Sequence, residues 1–271
     1  MNRLFLFLVT VIVFVFGPTP GEAQIGTQQN LFFLHHSTGR NLLNEGNVRS
    51  WINDFNQASE TNYVLWDHDY NYREDYHCYG LKNPAGVETE YGYNIPDDNT
   101  DPVGLHQLFT TNNAARDSIM NNHEVIAFKS CYPNSAIGSD AELAQYKTWY
   151  LEMRDFFDLH ENKTFVIMSQ PPLRLQYTNL EEADRARAFA SWLGSDEYLA
   201  GHNNMVFFDF FDLLANADDG SENRNLLRSE YCRSNENDCH PNTLANQTVG
   251  PLFAQFLTSA ARVPADKPTL G

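Results

Sequence analysis

Five short apolar runs set the skeleton of the chain. Asn30–Leu34, Asn62–Trp66, Val125–Phe128, Thr164–Met168 and Met205–Phe208 each hold four or five residues bounded by polar turns. That pattern predicts strands buried on both faces. Between them the apolar period lengthens to three and four. Ser139-Asp140-Ala141-Glu142 reads as a capping box, followed on one helical face by Leu143, Tyr146, Tyr150, Met153 and Phe157. Thr178-Asn179-Leu180-Glu181 repeats the signal ahead of Ala183, Ala186, Ala190 and Leu193. After Pro241-Asn242, the residues Ala245, Val249, Leu252, Phe253, Phe256 and Leu257 predict a last amphipathic helix.

Strands alternating with helices predict an α/β protein of three layers, α/β/α, around a mostly parallel, flavodoxin-like five-stranded sheet. Ligands of such sheets sit at the carboxyl ends of the strands. No repeat, low-complexity tract or linker divides the chain, so residues 24–271 read as one domain. One stretch departs from the pattern. Asp67 to Asp101 is long and polar and carries Tyr70, Tyr72, Tyr76, Tyr79, Tyr91 and Tyr93, as either a sugar-stacking surface or a lid packed on the sheet.

The N-terminus changes the picture of where the protein works. Arg3 precedes 13 residues from Leu4 to Phe16 that are apolar but for Thr10, then Gly17-Pro18-Thr19-Pro20, then Gly21-Glu22-Ala23. A spanning helix needs about 20 apolar residues, so residues 1–23 read as a cleaved signal peptide and the mature chain as secreted or periplasmic, with no stable membrane insertion. The formal charge of −17 disfavours nucleic acid and anionic lipid as partners. Four cysteines in an exported chain predict disulfides. Cys232 and Cys239 are close enough to clip one loop, and Cys78 with Cys131 follows by elimination.

Three segments carry candidate chemistry. Leu34-His35-His36-Ser37-Thr38-Gly39 puts a hydroxyl at a strand-to-helix turn, where amide N–H groups can face an oxyanion; Ser37 could equally cap the next helix. Asn237-Asp238-Cys239-His240-Pro241-Asn242 puts a histidine beside an acid just before the last helix, as a serine nucleophile requires, or it is a polar surface loop. Lys129-Ser130-Cys131-Tyr132-Pro133-Asn134 offers Ser130 and Asn134 as donors at a strand end.

The order of these segments resembles the SGNH (GDSL-like) hydrolases, from Asn30 to about Ala261. His35-His36-Ser37 stands where that family has Gly-Asp-Ser, and His240-Pro241 stands in its last block. The resemblance implies a nucleophilic Ser37, a basic His240, and an oxyanion hole of the Ser37 amide, a second-block glycine (Gly80, with Gly86 behind it) and a third-block side chain (Asn134 or Ser130). The family's acid lies three residues before its histidine. That place is Asn237 here, and Asp238, two residues before, takes the role. A serine esterase of this kind needs no cofactor, and an acetyl ester, possibly on a carbohydrate, is the expected substrate.

Two other classes fit some of the same residues. A metal-dependent hydrolase would draw on His35, His36, Asp67, His68, Asp69, His77, Asp238 and His240, although Asp67-His68-Asp69 on a strand would point to alternating sides. A non-catalytic extracellular binding protein could share the scaffold. Asn162-Lys163-Thr164 and Asn246-Gln247-Thr248 also match the glycosylation sequon.

Overall fold

The computed structural model describes residues 29–69, 80–96 and 101–262. Residues 1–23, His77, Cys78 and Tyr70, Tyr72, Tyr76 and Tyr79 lie outside the described residues. The strands are β1 (Asn30–Leu34), β2 (Val64–His68), β3 (Leu81–Lys82), β4 (Val125–Phe128), β5 (Thr164–Met168) and β6 (Met205–Phe208). They form one sheet in the order β3-β2-β1-β4-β5-β6. β1, β2, β4, β5 and β6 pair in parallel, giving the expected sheet, and the two-residue β3 adds an antiparallel edge to β2.

Four of the five expected strands have the bounds that the apolar runs imply. β2 starts and ends two residues later, because Asp67 and His68 continue the ladder opposite Phe33 and Leu34. Both are fully buried, so their polar atoms need partners from distant segments, and they find them.

Side chains alternate between the two faces of the sheet. Phe32, Leu34, Ile126, Phe128, Phe165 and Ile167 pack under α3 (Pro102–Thr110), α4 (Ala114–Asn122), α5 (Asp140–Asp158) and α6 (Leu180–Leu193). Leu31, Phe33, Val125, Ala127, Val166 and Met168 pack under α1 (Ser37–Glu45), α2 (Val48–Ser59) and α9 (Thr243–Ala260). The short helices α7 (Asp196–Leu199) and α8 (Phe210–Leu214) flank β6. Of the face proposed for α9, Leu252 is exposed and Phe256 only partly covered, while Phe253 and Leu257 are fully buried.

Helix starts follow local chemistry. The Ser139 side chain caps α5 by accepting Glu142 N–H, and the Glu142 carboxylate accepts Gly138 N–H instead of closing the box on Ser139. The second box sits one residue later than expected: Asn179, not Thr178, caps α6 and Glu182 closes it. Asn242 caps α9.

One contact matters for the site. α1 and α9 touch backbone to backbone at Gly46 and Gly250, where a Cβ on Gly250 would meet the Gly46 carbonyl oxygen at 2.1 Å. Two helices that lie this close carry their neighbouring N-termini in a fixed relation. Among the described residues, no helix is long and apolar enough to cross a membrane.

Candidate active site

Ser37 is the first residue of α1, directly beyond the carboxyl end of β1. His240 lies two residues ahead of the Asn242 cap of α9. The α1–α9 contact brings these ends together across 203 residues of sequence: Ser37 Oγ–H donates to His240 Nε2 at 2.7 Å. On the other side of the ring, His240 Nδ1–H donates to Asp238 Oδ1 at 2.6 Å, and the His240 backbone N–H reaches the same oxygen at 3.0 Å. All three residues are half-buried, so the hydrogen-bonded line opens to solvent at its edge.

Burial alone would raise the Asp238 carboxyl, but the two hydrogen bonds from His240 and the nearby charge of Arg233 outweigh it and hold it below the usual carboxylate range. Arg233 Nε lies 3.5 Å from Asp238 Oδ2, and its Nη2 donates to Glu45 at the end of α1 at 3.1 Å. Glu45 in turn accepts Asn246 Nδ2 of α9 at 2.8 Å. Helices α1 and α9 and the acid's loop are thus tied by one polar chain. Asn246 is fully buried in it, which closes the second sequon to glycosylation.

The expected Cys232–Cys239 disulfide is not formed; Cys131, Cys232 and Cys239 are free thiols. Backbone does the clipping instead. Cys232 and Pro241 form an antiparallel bridge across the Asp238–His240 loop, Asn242 N–H donates to the Tyr231 carbonyl, and Asn242 Nδ2 donates to the Cys232 carbonyl. Closeness in sequence put two sulfurs on one loop, but the bridge turned their side chains to different neighbours. The Cys232 thiol donates to the Arg228 carbonyl at 3.5 Å, and Cys239 is buried.

The N-terminus of α1 has no side-chain cap, as in α2 and α7 and unlike α3, α4, α5, α6, α8 and α9. First-turn N–H groups have no partner within the helix. Here they flank the Ser37 hydroxyl, at the positive end of the helix dipole.

The expected companions of this donor are placed differently. Gly80 adopts φ 88° at the outer edge of the sheet and its N–H already donates to Glu88 at 3.0 Å, so it is not a donor to an oxyanion. Ser130 is fully buried on the α5 side, where its hydroxyl borders the Tyr150 phenol. Asn134 is half-buried on the turn Tyr132–Ser135, and its Nδ2 donates to the Cys131 carbonyl at 3.4 Å. That same turn brings Tyr132, which the sequence reasoning missed, edge-on to the His240 ring at 4.8 Å. No local signal marks a contact that spans more than a hundred residues.

The histidines and aspartates at the ends of β1 and β2 form a second, sealed cluster. His35 Nε2 lies 2.9 Å from Asp67 Oδ2, Arg49 pairs with the other Asp67 oxygen, and Arg40 pairs with Asp69. Lys82 Nζ stands 3.5 Å from Asp69 and 3.9 Å from Asp67. Burial pushes both acids up, but these cations win, and Asp69 is held down to about 2. His68 turns to the opposite face, stacked on Tyr93. The two aspartates proposed as metal ligands are therefore committed to Arg40, Arg49 and Lys82. Among the described residues no three His, Cys, Asp or Glu side chains converge as a metal site.

No family model matches the chain, and no curated protein matches it. Solved structures do. A candidate acylhydrolase from Bacteroides fragilis NCTC 9343 is similar at 10% identity over 90% of this chain and 92% of its own, with a TM-score of 0.45. A GDSL-like lipase from Bacteroides thetaiotaomicron VPI-5482 is similar at 10% identity over 86% and 89%, with a TM-score of 0.46. What the site can do has to be read from its own atoms.

Proposed function

We propose that this chain is a serine ester hydrolase, with Ser37 as nucleophile, His240 as general base and Asp238 as the acid that orients it. One observation carries this: an exposed-edge hydroxyl, an imidazole and an ionised carboxylate stand in a hydrogen-bonded line of 2.7 and 2.6 Å. His240 Nε2 removes the hydroxyl proton as Oγ attacks the acyl carbon. The Asp238 carboxylate keeps the proton on Nδ1 and stabilises the imidazolium that forms. The first-turn N–H groups of α1, led by that of Ser37, face the oxyanion, with Asn134 as the candidate side-chain donor. His240 then gives its proton to the leaving alcohol, and water repeats the sequence on the acyl-enzyme.

The resemblance to SGNH hydrolases supports the same chemistry and adds a substrate class, an acetyl ester borne by a small molecule or a glycan. The leader-like residues 1–23 support action outside the cytoplasm.

Turnover of p-nitrophenyl acetate by wild type and Ser37→Ala, each with and without EDTA, tests the reading. Activity that survives EDTA and falls by at least about 10⁴-fold in a folded Ser37→Ala protein supports it. Activity retained in Ser37→Ala and lost to EDTA overturns it in favour of a metal hydrolase.

A further inference from the structure

Hydrogen-bond partners set the two histidines at the sheet edge apart. His68 donates Nδ1–H to the Asp69 carbonyl at 2.8 Å and accepts Tyr93 N–H on Nε2 at 3.1 Å, so its ring is neutral. His35 faces acceptors on both sides. Its Nδ1 lies 2.8 Å from the His36 carbonyl oxygen, which can only accept. Its Nε2 lies 2.9 Å from Asp67, a carboxylate kept ionised by Arg49 and Lys82. Two acceptors require two N–H groups. With both in place the ring carries a charge, and it is sealed at 1% exposure.

The carbonyl it holds belongs to a particular peptide. His36 C=O and Ser37 N–H are the two ends of one amide group, and that N–H is the leading oxyanion donor proposed above. The same carbonyl accepts Arg40 N–H at 2.9 Å, the first bond of α1. A cationic donor makes a stronger hydrogen bond than a neutral one, and hydrogen bonds in series polarise each other. The fold also keeps room for the ring: a Cβ on Gly39, in the first turn of α1, would stand 2.3 Å from His35 Cβ and 2.5 Å from Cγ. Backbone helix and imidazole occupy adjoining space that only glycine leaves open.

We propose that His35, held by Asp67, is a positioning residue for the oxyanion hole: it clamps and polarises the His36–Ser37 peptide so that Ser37 N–H faces the developing negative charge. This rests on the assignment of Ser37 as nucleophile. No proton is transferred through His35; its charge acts on the amide from behind.

The test uses the full chain and three readouts. In His35→Gln, which keeps the volume and loses the charge, kcat for p-nitrophenyl acetate falls on the order of tenfold to a hundredfold with KM within about twofold, less than loss of the donor itself. Phosphorylation of Ser37 by diethyl p-nitrophenyl phosphate slows alongside, because its phosphoryl oxygen uses the same donor. In the wild type, ¹⁵N NMR finds both His35 ring nitrogens protonated at neutral pH and the His68 ring neutral. A folded His35→Gln protein with wild-type kcat overturns the proposal, as does a neutral His35 ring; the NMR result decides if the variant fails to fold. A lower melting temperature with unchanged kcat marks a merely structural role and also overturns it. A wild type inert to both reagents removes the Ser37 assignment and the proposal with it, whereas active wild type beside an unimpaired His35→Gln removes the proposal alone.

Discussion

Among the described residues His106–Glu152 and His202–Asp158 pair toward the surface, while two further histidine–carboxylate pairs of nearly the same length stand by the end of β1. His240–Asp238 spans 2.6 Å at a half-open loop, and His35–Asp67 spans 2.9 Å in the interior. Their surroundings suit them to different work. The far nitrogen of His240 meets a hydroxyl, a group that can give up a proton; the far nitrogen of His35 meets a carbonyl, which has none to give. Asp238 has one nearby cation, Arg233, whereas Asp67 has Arg49 and Lys82 besides His35. A His–Asp pair is therefore no signature of proton transfer by itself. The third group and the access of solvent decide.

The sharpest way to break this comparison is to neutralise each acid's support in turn. Asp238→Asn should lower kcat by about 10³–10⁴-fold, because the amide no longer fixes the His240 tautomer, and should leave the melting temperature almost unchanged. Steady-state kinetics beside calorimetry check both halves. An Asp238→Asn enzyme within tenfold of wild type would reduce the site to a Ser37–His240 dyad. Arg49→Met should do the reverse. It leaves Asp67 buried with less compensation and should cost about 2–3 kcal/mol of stability by urea titration, with turnover near wild type well below the transition. An exposed pair would lose almost nothing, so an unchanged urea midpoint would contradict the sealed character of the cluster.

A third prediction concerns what aligns the open pair. Gly250→Ala inserts a methyl group against the Gly46 carbonyl and must separate α1 from α9. The expected result is a loss of about 1–3 kcal/mol in stability. Because Ser37 begins α1 and His240 lies just ahead of the α9 cap, kcat should fall while KM holds. A Gly250→Ala protein of full activity would mean that the Cys232–Pro241 bridge alone sets the position of His240.

How much of this was legible in the sequence follows the range of each interaction. Strand bounds at β1, β4, β5 and β6 are written in local apolar runs, and the α9 cap is written in Asn242. Ser37, Asp238 and His240 could be marked as candidates because each sits at a strand or helix end whose chemistry is local, and the fold brings their side chains into one hydrogen-bonded line. The end of β2 could not be read, because Asp67 and His68 are tolerable in a buried strand only with Arg49, Lys82, His35 and Tyr93 around them, residues drawn from four other segments. Gly80 was misread for the same reason: Glu88, eight residues on, occupies its amide. The disulfide failed because even counts and short spacing say nothing of side-chain direction. The Tyr132 contact and the role proposed for His35 depend wholly on contacts that only the folded chain makes.

The smallest expected effect extends the comparison to histidines that have no carboxylate partner on the ring. Burial lowers His68 to about 4 and His123 to about 3. His123 Nε2 accepts the Tyr93 hydroxyl at 2.7 Å; burial pushes that phenol up to about 12, which keeps it a donor. In the unfolded chain a histidine titrates near 6.5. Their folded values lie below that, so the unfolded state binds protons that the folded state refuses. Their contribution is complete above pH 6.5 and shrinks as pH falls toward 4, each group adding about 1.4 kcal/mol of destabilisation per pH unit. Urea midpoints at pH 7.0, 6.0 and 5.0 should decline accordingly, in a range where the carboxylates held low by Arg40, Arg49 and Lys82 do not yet titrate. His123→Gln should flatten that decline by one histidine's share. A variant with the wild-type slope would show that His123 is already charged in the fold, and that the buried ring has a route to solvent.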